Sequence, residues 1–565
     1  MFASLSQQAK RLLQAEFPDL EVDVAWERPS ARDHGDCTTT VALQLAKKVG
    51  RSPKEIAQFL VDGLQNMPDV ENVELAGPGY VNVRLTLPAL LKELEAAMNE
   101  AKPKESKKDE GPVIIEYSQP NIAKPLGAHH IIGTAIGQAL VNIYRHAGHT
   151  VIAWNYLGDY GTQFGKLSVA FSKWGTKPVE QCSVDDLLDL YVKFHEEAEQ
   201  DKALEDLGRA ASLRLEEGDE ELRAFWKKVV AITKESLGEL YRRLHVSFDL
   251  DLGESFYEDK MVPVIEEGKA KGVFVEGEKG SLIVQFPNDL YPPYLILRGD
   301  GATLYSTRDL AQMKYRMETY HPQAIFIATD IAQKLHFEQL IETCRMLGWE
   351  LPEFENILFG RMRFVEKSMS TRKGNILKLE HVLDEAVERA QKVIAERGDA
   401  IQTDEPAALA EMMGVGALVY GILSQNRKMD LVFDWEKMLS FDGNSAPYLQ
   451  YTHARARSVL RKAEQEVSVQ GVTGVTAMAP HDRLLVNTLL QYPTALQEAL
   501  DTRMPHKLAN YLYQLAQDFN AFYNAESILQ AEESLRKLRL ALTLLTADTL
   551  RAGTALLAIQ VPDRM

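Results

Sequence analysis

The chain has 565 residues, 45% hydrophobic and 25% charged, which is too long for one ordinary core and too apolar for a disordered chain, so three or more domains are expected. No run approaches about eighteen consecutive apolar residues, which argues against a membrane span. The three cysteines, Cys37, Cys182 and Cys344, stand far apart without a CxxC pair, which argues against a disulfide framework or a structural metal and fits a reducing cytoplasm. The net charge of −18 by itself disfavours a nucleic-acid partner, yet a local basic surface coexists readily with an acidic remainder that keeps a protein soluble.

In chain order, MFASLSQQAKRLLQAEF reads as an amphipathic helix without the apolar core and cleavage site of a secretory signal. Residues 1–100 mix helix and strand patterns, with strands at Val73–Leu75 and Tyr80–Leu85, and form an N-terminal α+β domain. The polar stretch 101–111 reads as a linker. Val113–Ile115 is a short apolar run, followed by the loop SQPNIAKPLGAHH, a helical pattern and a second apolar run at Val151–Trp154. This β–loop–α–β unit opens a doubly wound, Rossmann-like α/β domain spanning 112–400, with a mostly helical insertion at about 168–290. Strand signals return at Ser281–Phe286, Tyr294–Leu297 and Ala324–Ala328. Residues 405–565 read as an all-α helical bundle.

Ligands of doubly wound sheets bind beyond the carboxyl ends of the strands, so the loop from Ser118 to His130 is the first place to look for chemistry. A strand end feeding a Gly-containing loop and a helix start offers free backbone N–H groups to an anion. Histidines there are donors to phosphate oxygens, and Lys124 can meet developing negative charge. On spacing alone, a turn with two surface histidines is an equal reading. A second candidate is the cationic loop at 367–374, Lys-Ser-Met-Ser-Thr-Arg-Lys-Gly; alone, it reads as an exposed basic loop.

Together the two loops resemble the paired signatures of class I aminoacyl-tRNA synthetases. YSQPNIAKP, NYLGDYGTQFG at 155–165, YSTRDLA at 305–311, QKLHF at 333–337, SMSTRKGN at 368–375 and FDGNSAPYLQYTHARA at 441–456 narrow the resemblance to the arginyl-tRNA synthetase family. HGDCTTTVALQLAK, AGPGYVNVRL and the closing IQVPDRM resemble that family's ends. The resemblance implies an arginine–tRNA ligase working in protein synthesis, with tRNA(Arg), arginine and ATP as partners, Mg²⁺ arriving with the ATP, no membrane and a monomeric state. It assigns arginine binding to Asn121, Asn155, Tyr305, Asp309 and Gln333. A planar, permanent cation requires a carboxylate and neutral acceptors, and Tyr305 and Asp309 lie four apart on one helix face. It assigns ATP binding to Ser118, Gly127, Ala128, His129, His130, Ser368, Met369 and Ser370. Catalytic charge stabilisation falls to Lys124, His129, His130 and Lys373, because the second lysine of the second signature is Thr371 here. The bundle is expected to bind the anticodon through some of its interleaved aromatics and cations, among them Tyr448, Tyr451, Arg455, Arg457, Tyr511, Tyr513, Phe519, Phe522 and Tyr523, most of which at helical spacing read as core. The N-terminal domain is expected at the tRNA elbow.

One departure stands out. The usual His-x-Gly-His reads Gly127-Ala128-His129-His130, which puts a Cβ where the family's glycine lets adenine approach the backbone. Three readings follow: His129 takes over the missing histidine's role, Lys124 and the other loop suffice, or the chain has lost activation and persists as a non-catalytic tRNA-binding or partner-binding paralogue.

Overall fold

The structure is a computed structural model that describes residues 2–27, 29, 34–107, 110–364, 377–398, 401–463, 467 and 475–565. At the N-terminus, the strands Cys37–Thr39, Tyr80–Leu85 and Val70–Ala76 form an antiparallel sheet in that order. Helices Val41–Val49 and Pro53–Leu64 pack against it. The second of these begins where the sequence provides a start signal, a capping box between Ser52 and Glu55 with Pro53 in the first turn.

The central sheet is parallel throughout. Its strands are β1 (Val113–Glu116), β2 (Val151–Asn155), β3 (Leu250–Asp251), β4 (Ala324–Asp330) and β5 (Glu353–Phe359), in the order β5-β4-β1-β2-β3. The chain reverses direction across the sheet between β1 and β4, so their carboxyl ends frame the crevice where such folds bind ligands. All four residues of β1 are buried, as expected for a strand covered on both faces. Helix α1 (His130–His146) runs back from the crevice and lies close on the end of β1, because Gly137 has no side chain where a Cβ would fall 2.1 Å from the Tyr117 ring.

The span from 162 to 290 holds five α-helices, Thr162–Trp174, α2 (Val184–Gln200), Ala203–Glu216, Glu220–Arg243 and Met261–Ala270. Strand β3 lies inside the span read as insertion yet belongs to the central sheet; two residues carry no pattern that a sequence can display. The strand signals at 281–286 and 294–297 resolve to Leu282–Val284 and Tyr294–Leu297, which with Phe274–Glu276 form a separate antiparallel sheet. The central sheet resumes through α3 (Tyr305–Tyr320), β4 and α4 (Lys334–Met346).

The C-terminal region is a helical bundle whose helix Pro406–Leu423 is long and apolar enough to cross a membrane by composition. Most of that helix is buried against Leu379–Arg397, Ala446–Lys462 and α1, so its apolarity is spent on core packing. Arg427 and Arg503 lash the bundle to the sheet edge. Arg427 donates to Leu358 O at 2.7 Å and to Glu355 at 3.0 Å, and Arg503 pairs with both Glu355 and Glu353 on β5. On the far side, buried Asp36 of the N-terminal unit accepts from Arg483 Nε at 2.7 Å, Asn487 Nδ2 at 2.9 Å and Leu85 N at 2.7 Å.

Candidate active site

The loop leaving β1 is held in an unusual conformation. Ser118, Gln119 and Ala123 all have positive φ, 73°, 52° and 64°, a region that costs a side-chain-bearing residue free energy. The surroundings fix each turn. Ser118 Oγ lies 2.7 Å from the Tyr241 hydroxyl and accepts from Thr134 Oγ1 at 3.0 Å, and Ala123 N donates to Thr233 Oγ1 at 3.2 Å. Beneath the loop, Glu116 accepts from Gln119 Nε2 at 2.5 Å and pairs with the fully buried Arg316, whose guanidinium stacks 4.3 Å from the Trp154 ring. The loop also zips onto the one following β2: Gly158 N donates to Pro120 O and Ile122 N to Gly158 O, at 2.9 and 3.1 Å. Gly158 is required there, since a Cβ would fall 2.4 Å from Asn121 Oδ1.

The expected cradle of free N–H groups at the helix start is not what the structure provides. Ala128 N donates to Leu377 O at 2.7 Å, and His130 N and Ile131 N donate to Gly127 O and Ala128 O. Gly127 instead pairs as a short antiparallel bridge with Lys378, and Leu379 N donates to Leu126 O. Ser118, buried and bonded to Tyr241 and Thr134, likewise faces inward. The side chains at the loop's end differ in exposure. His129 is exposed, and its ring lies 4.0 Å from that of His130, which is half-buried with Nδ1 3.2 Å from Gly127 O. Burial and the neighbouring imidazole push His130 down to about 4, and burial lowers His129 despite Asp330, so both rings are neutral donors at neutral pH. Lys124 Nζ lies 4.8 Å from the centre of the Tyr191 ring on α2. Ser368, Met369, Ser370 and Lys373 lie outside the described residues; the segment just after them, 377–379, pairs with 126–128, which brings the flank of the second loop against the first.

On the other side of the crevice, α3 does present Tyr305 and Asp309 on one face. Tyr305 is 58% exposed, and its ring meets the His336 ring edge-on at 4.9 Å. Asp309 Oδ2 lies 2.7 Å from His336 Nε2, and His336 Nδ1 lies 3.1 Å from the Tyr294 hydroxyl. This chain of contacts fixes the Asp309 carboxylate in place; burial and the nearby Asp309 keep the Tyr294 phenol protonated. Glu254, beside Asp309, is pushed up to about 7 by burial, with Asp309 and Asp159 opposing its ionisation and Arg308, 3.5 Å away, favouring it. Asp159 sits behind it, accepting from Ser255 N and Oγ at 2.8 and 2.7 Å. Gly253 makes room for Asp159, whose carboxylate would lie 2.5 Å from a Cβ. Tyr156, partly buried and within electrostatic reach of Asp309 and Glu254, has an enclosed hydroxyl with no hydrogen-bond partner among the described residues. Two carboxylates, an unpartnered phenol and an exposed tyrosine make a pocket with a deficit of positive charge.

The structure brings Asp309 and Tyr305, both singled out in the sequence, together with Glu254, His336, Tyr294 and Tyr156, which were not. His336 carried a signal, standing three residues after Gln333 in a helical segment; Glu254 follows the end of β3 after two intervening residues and has none. Gln333 is exposed at the start of α4, one turn before His336. The two asparagines part company. Asn121 is exposed at the crevice, whereas Asn155 is 1% exposed and donates to Asp251 at 3.1 Å, closing the sheet edge.

In the bundle, Phe519 and Phe522 are core, as helical spacing suggested. Arg455 lies between the rings of Tyr451 and Tyr523, 4.7 and 5.0 Å from their centres, in an open cleft of about 1240 Å³ that also takes in Arg461 and Met565.

Residues 92–435 match the family model for tRNA synthetases class I (R), catalytic domain; residues 3–85 match the arginyl tRNA synthetase N terminal domain, and 449–565 the DALR anticodon binding domain. An arginine–tRNA ligase of Fusobacterium nucleatum is 36% identical over 552 residues, covering 97% of this chain and 96% of its own. One from Clostridioides difficile is 39% identical, covering 96% of each. The arginyl-tRNA synthetase structure of Thermus thermophilus superposes with a TM-score of 0.83 at 25% identity, covering both chains fully. That of Plasmodium falciparum gives the same TM-score at 23% identity, covering 98% of its own chain, and speaks for the fold.

Proposed function

Because the chain belongs to the arginyl-tRNA synthetase family and is an arginine–tRNA ligase, we propose that the pocket around Asp309 selects arginine and that the loop from Asn121 to His130 handles ATP. The arrangement of Asp309, locked by His336 beside a second buried carboxylate, carries this reading. A guanidinium entering there supplies the charge the pocket lacks, and its planar fork can bond Asp309 and Glu254 together while donating to Tyr156. Tyr305 covers the pocket from the solvent side, with Gln333 at its rim. Asn121 meets the amino-acid end, and Asn155 shapes the sheet edge behind it.

The reaction then has two steps. The arginine carboxylate attacks the α-phosphorus of ATP, forming the acyl–phosphate bond as pyrophosphate leaves. The terminal ribose hydroxyl of tRNA next attacks the acyl carbon, releasing AMP. No covalent enzyme intermediate is needed, so positioning and charge stabilisation do the work. Neutral His129 donates to phosphate oxygens, His130, whose single N–H is taken by Gly127 O, fixes the loop beside it, and Lys124 meets the charge on the leaving pyrophosphate. Ser368, Met369 and Ser370 close over the nucleotide, with Lys373 as a second cation. Magnesium enters as part of the ATP substrate, held mainly by phosphate oxygens.

The Tyr451–Arg455–Tyr523 stack suits unpaired bases, which supports placing the anticodon at that cleft; the N-terminal unit is assigned to the tRNA elbow. The three cysteines are buried and unpaired, which supports a reducing, cytoplasmic setting. The test is arginine-dependent ATP–pyrophosphate exchange with cognate tRNA present: Asp309→Ala must lose it, and unchanged kinetics would overturn the arginine pocket.

A further inference from the structure

Helix α2 touches two lysines at the crevice, Lys124 and Lys378. Tyr191 lies under Lys124, ammonium to ring centre 4.8 Å. Two turns earlier, Asp185 pairs with Lys378 at 2.6 Å, and Lys378 is the residue bridged to Gly127 immediately after the second loop. The helix is a firm platform. A capping box between Ser183 and Asp186 fixes its start, Lys177 pairs with Asp186 at 2.7 Å, and Leu187 and Phe194 are fully buried. His195, one turn past Tyr191 with rings 4.7 Å apart, is lowered by burial and by Lys166 and Lys124, so it adds no opposing charge beside the ammonium.

A lysine is a point charge on a four-carbon stem and samples many rotamers unless something holds it. An aromatic face attracts a cation through its ring quadrupole without neutralising it, unlike a carboxylate. Lys124 is thus held at one height above the crevice with its charge intact. We propose that Tyr191 is a positioning residue for Lys124, held in place by the capped helix α2. The proposal rests on the reading of Lys124 as the phosphate-facing lysine.

The test uses the full chain in tRNA-supported ATP–pyrophosphate exchange. Tyr191→Phe keeps the π face and should match the parent. Tyr191→Leu should lower kcat about three- to tenfold, the range a half-exposed cation–ring contact supports, with KM for arginine unchanged. In a Lys124→Ala background, Tyr191→Leu should cost nothing further, because the ring then has no cation to place. Tyr191→Met supplies the same comparison if the leucine variant melts below the assay temperature. Equal losses from Tyr191→Phe and Tyr191→Leu, or an undiminished loss in the Lys124→Ala background, would mean that Tyr191 only packs. A crippled Lys124→Ala beside a fully active Tyr191→Leu would sink the positioning role and leave the lysine's role standing. A fully active Lys124→Ala would remove the reading beneath both.

Discussion

The two ends of the crevice are built in opposite ways. The arginine end stands on regular elements, with Asp309 on α3 and His336 on α4, and its polar groups are fixed by neighbours: Tyr294 orients His336, which orients Asp309. The nucleotide end stands on a loop of side-chain-bearing residues at positive φ, tied down by Tyr241, Thr233 and the 157–158 turn. Its chemical groups are an exposed histidine, a half-buried one and a lysine resting on a ring. Buried charge makes the first end discriminating, because any ligand without a matching cation leaves carboxylates uncompensated. The second end relies on neutral donors and a lysine resting on an aromatic face, which suits a site where charge moves during the reaction.

The largest expected effect breaks the arginine end. Asp309→Ala should lower kcat/KM for arginine by roughly a thousandfold, since a buried cation losing its carboxylate costs about 3–5 kcal/mol. Glu254→Gln should be milder, on the order of tenfold to a hundredfold, and it carries a pH signature. The free Glu254 titrates at about 7. Below that pH it holds a proton that guanidinium must displace, so kcat/KM for arginine should fall as pH drops from 7 toward 5, by up to about tenfold per unit. The glutamine variant should flatten that slope. A slope surviving in Glu254→Gln would assign the proton elsewhere.

At the nucleotide end, the effects should be smaller. His129→Ala should lower the exchange rate about ten- to a hundredfold if an adjacent histidine has replaced the missing one. Full activity in that variant would leave Lys124 and the other loop as the compensating groups.

The same contrast governs what could be read from the sequence. The α/β core with its flanking domains was legible because β1, α1 and the bundle helices carry strong apolar patterns. Tyr305 and Asp309 stood out only through the resemblance of YSTRDLA; helical spacing puts them on one face but by itself leaves them as helix-surface residues. Glu254 was not legible, because its role arises from β3, a two-residue strand that folds back beside β2 and delivers it next to Asp309. The expected N–H cradle failed for a similar reason: nothing near Gly127 in the sequence reveals that Leu377, about 250 residues on, supplies the carbonyl that takes the Ala128 N–H. Asn155 shows what a strand-end asparagine hides in sequence: its Nδ2 donates to Asp251, while its buried Oδ1 has no hydrogen-bond partner among the described residues.

The smallest effect concerns stability and separates the two histidines of the altered signature. His130 is held near 4 in the folded chain, below its unfolded value of about 6.5. The unfolded chain therefore binds more protons between those values, and stability rises with pH across that window. The contribution is complete above about 6.5 and is lost as pH falls through 4. His130→Asn should remove this part of the slope, amounting to about 1–3 kcal/mol across the window, as seen in urea midpoints at pH 7 and pH 4.5. His453, also near 4 and bonded to Pro562 O in the bundle, adds a slope of the same sign that His130→Asn leaves in place. The exposed His129 should contribute much less. If His129→Ala flattens the profile as much as His130→Asn, the two rings titrate as one buried pair, and the division into an outward donor and an inward one has to be abandoned.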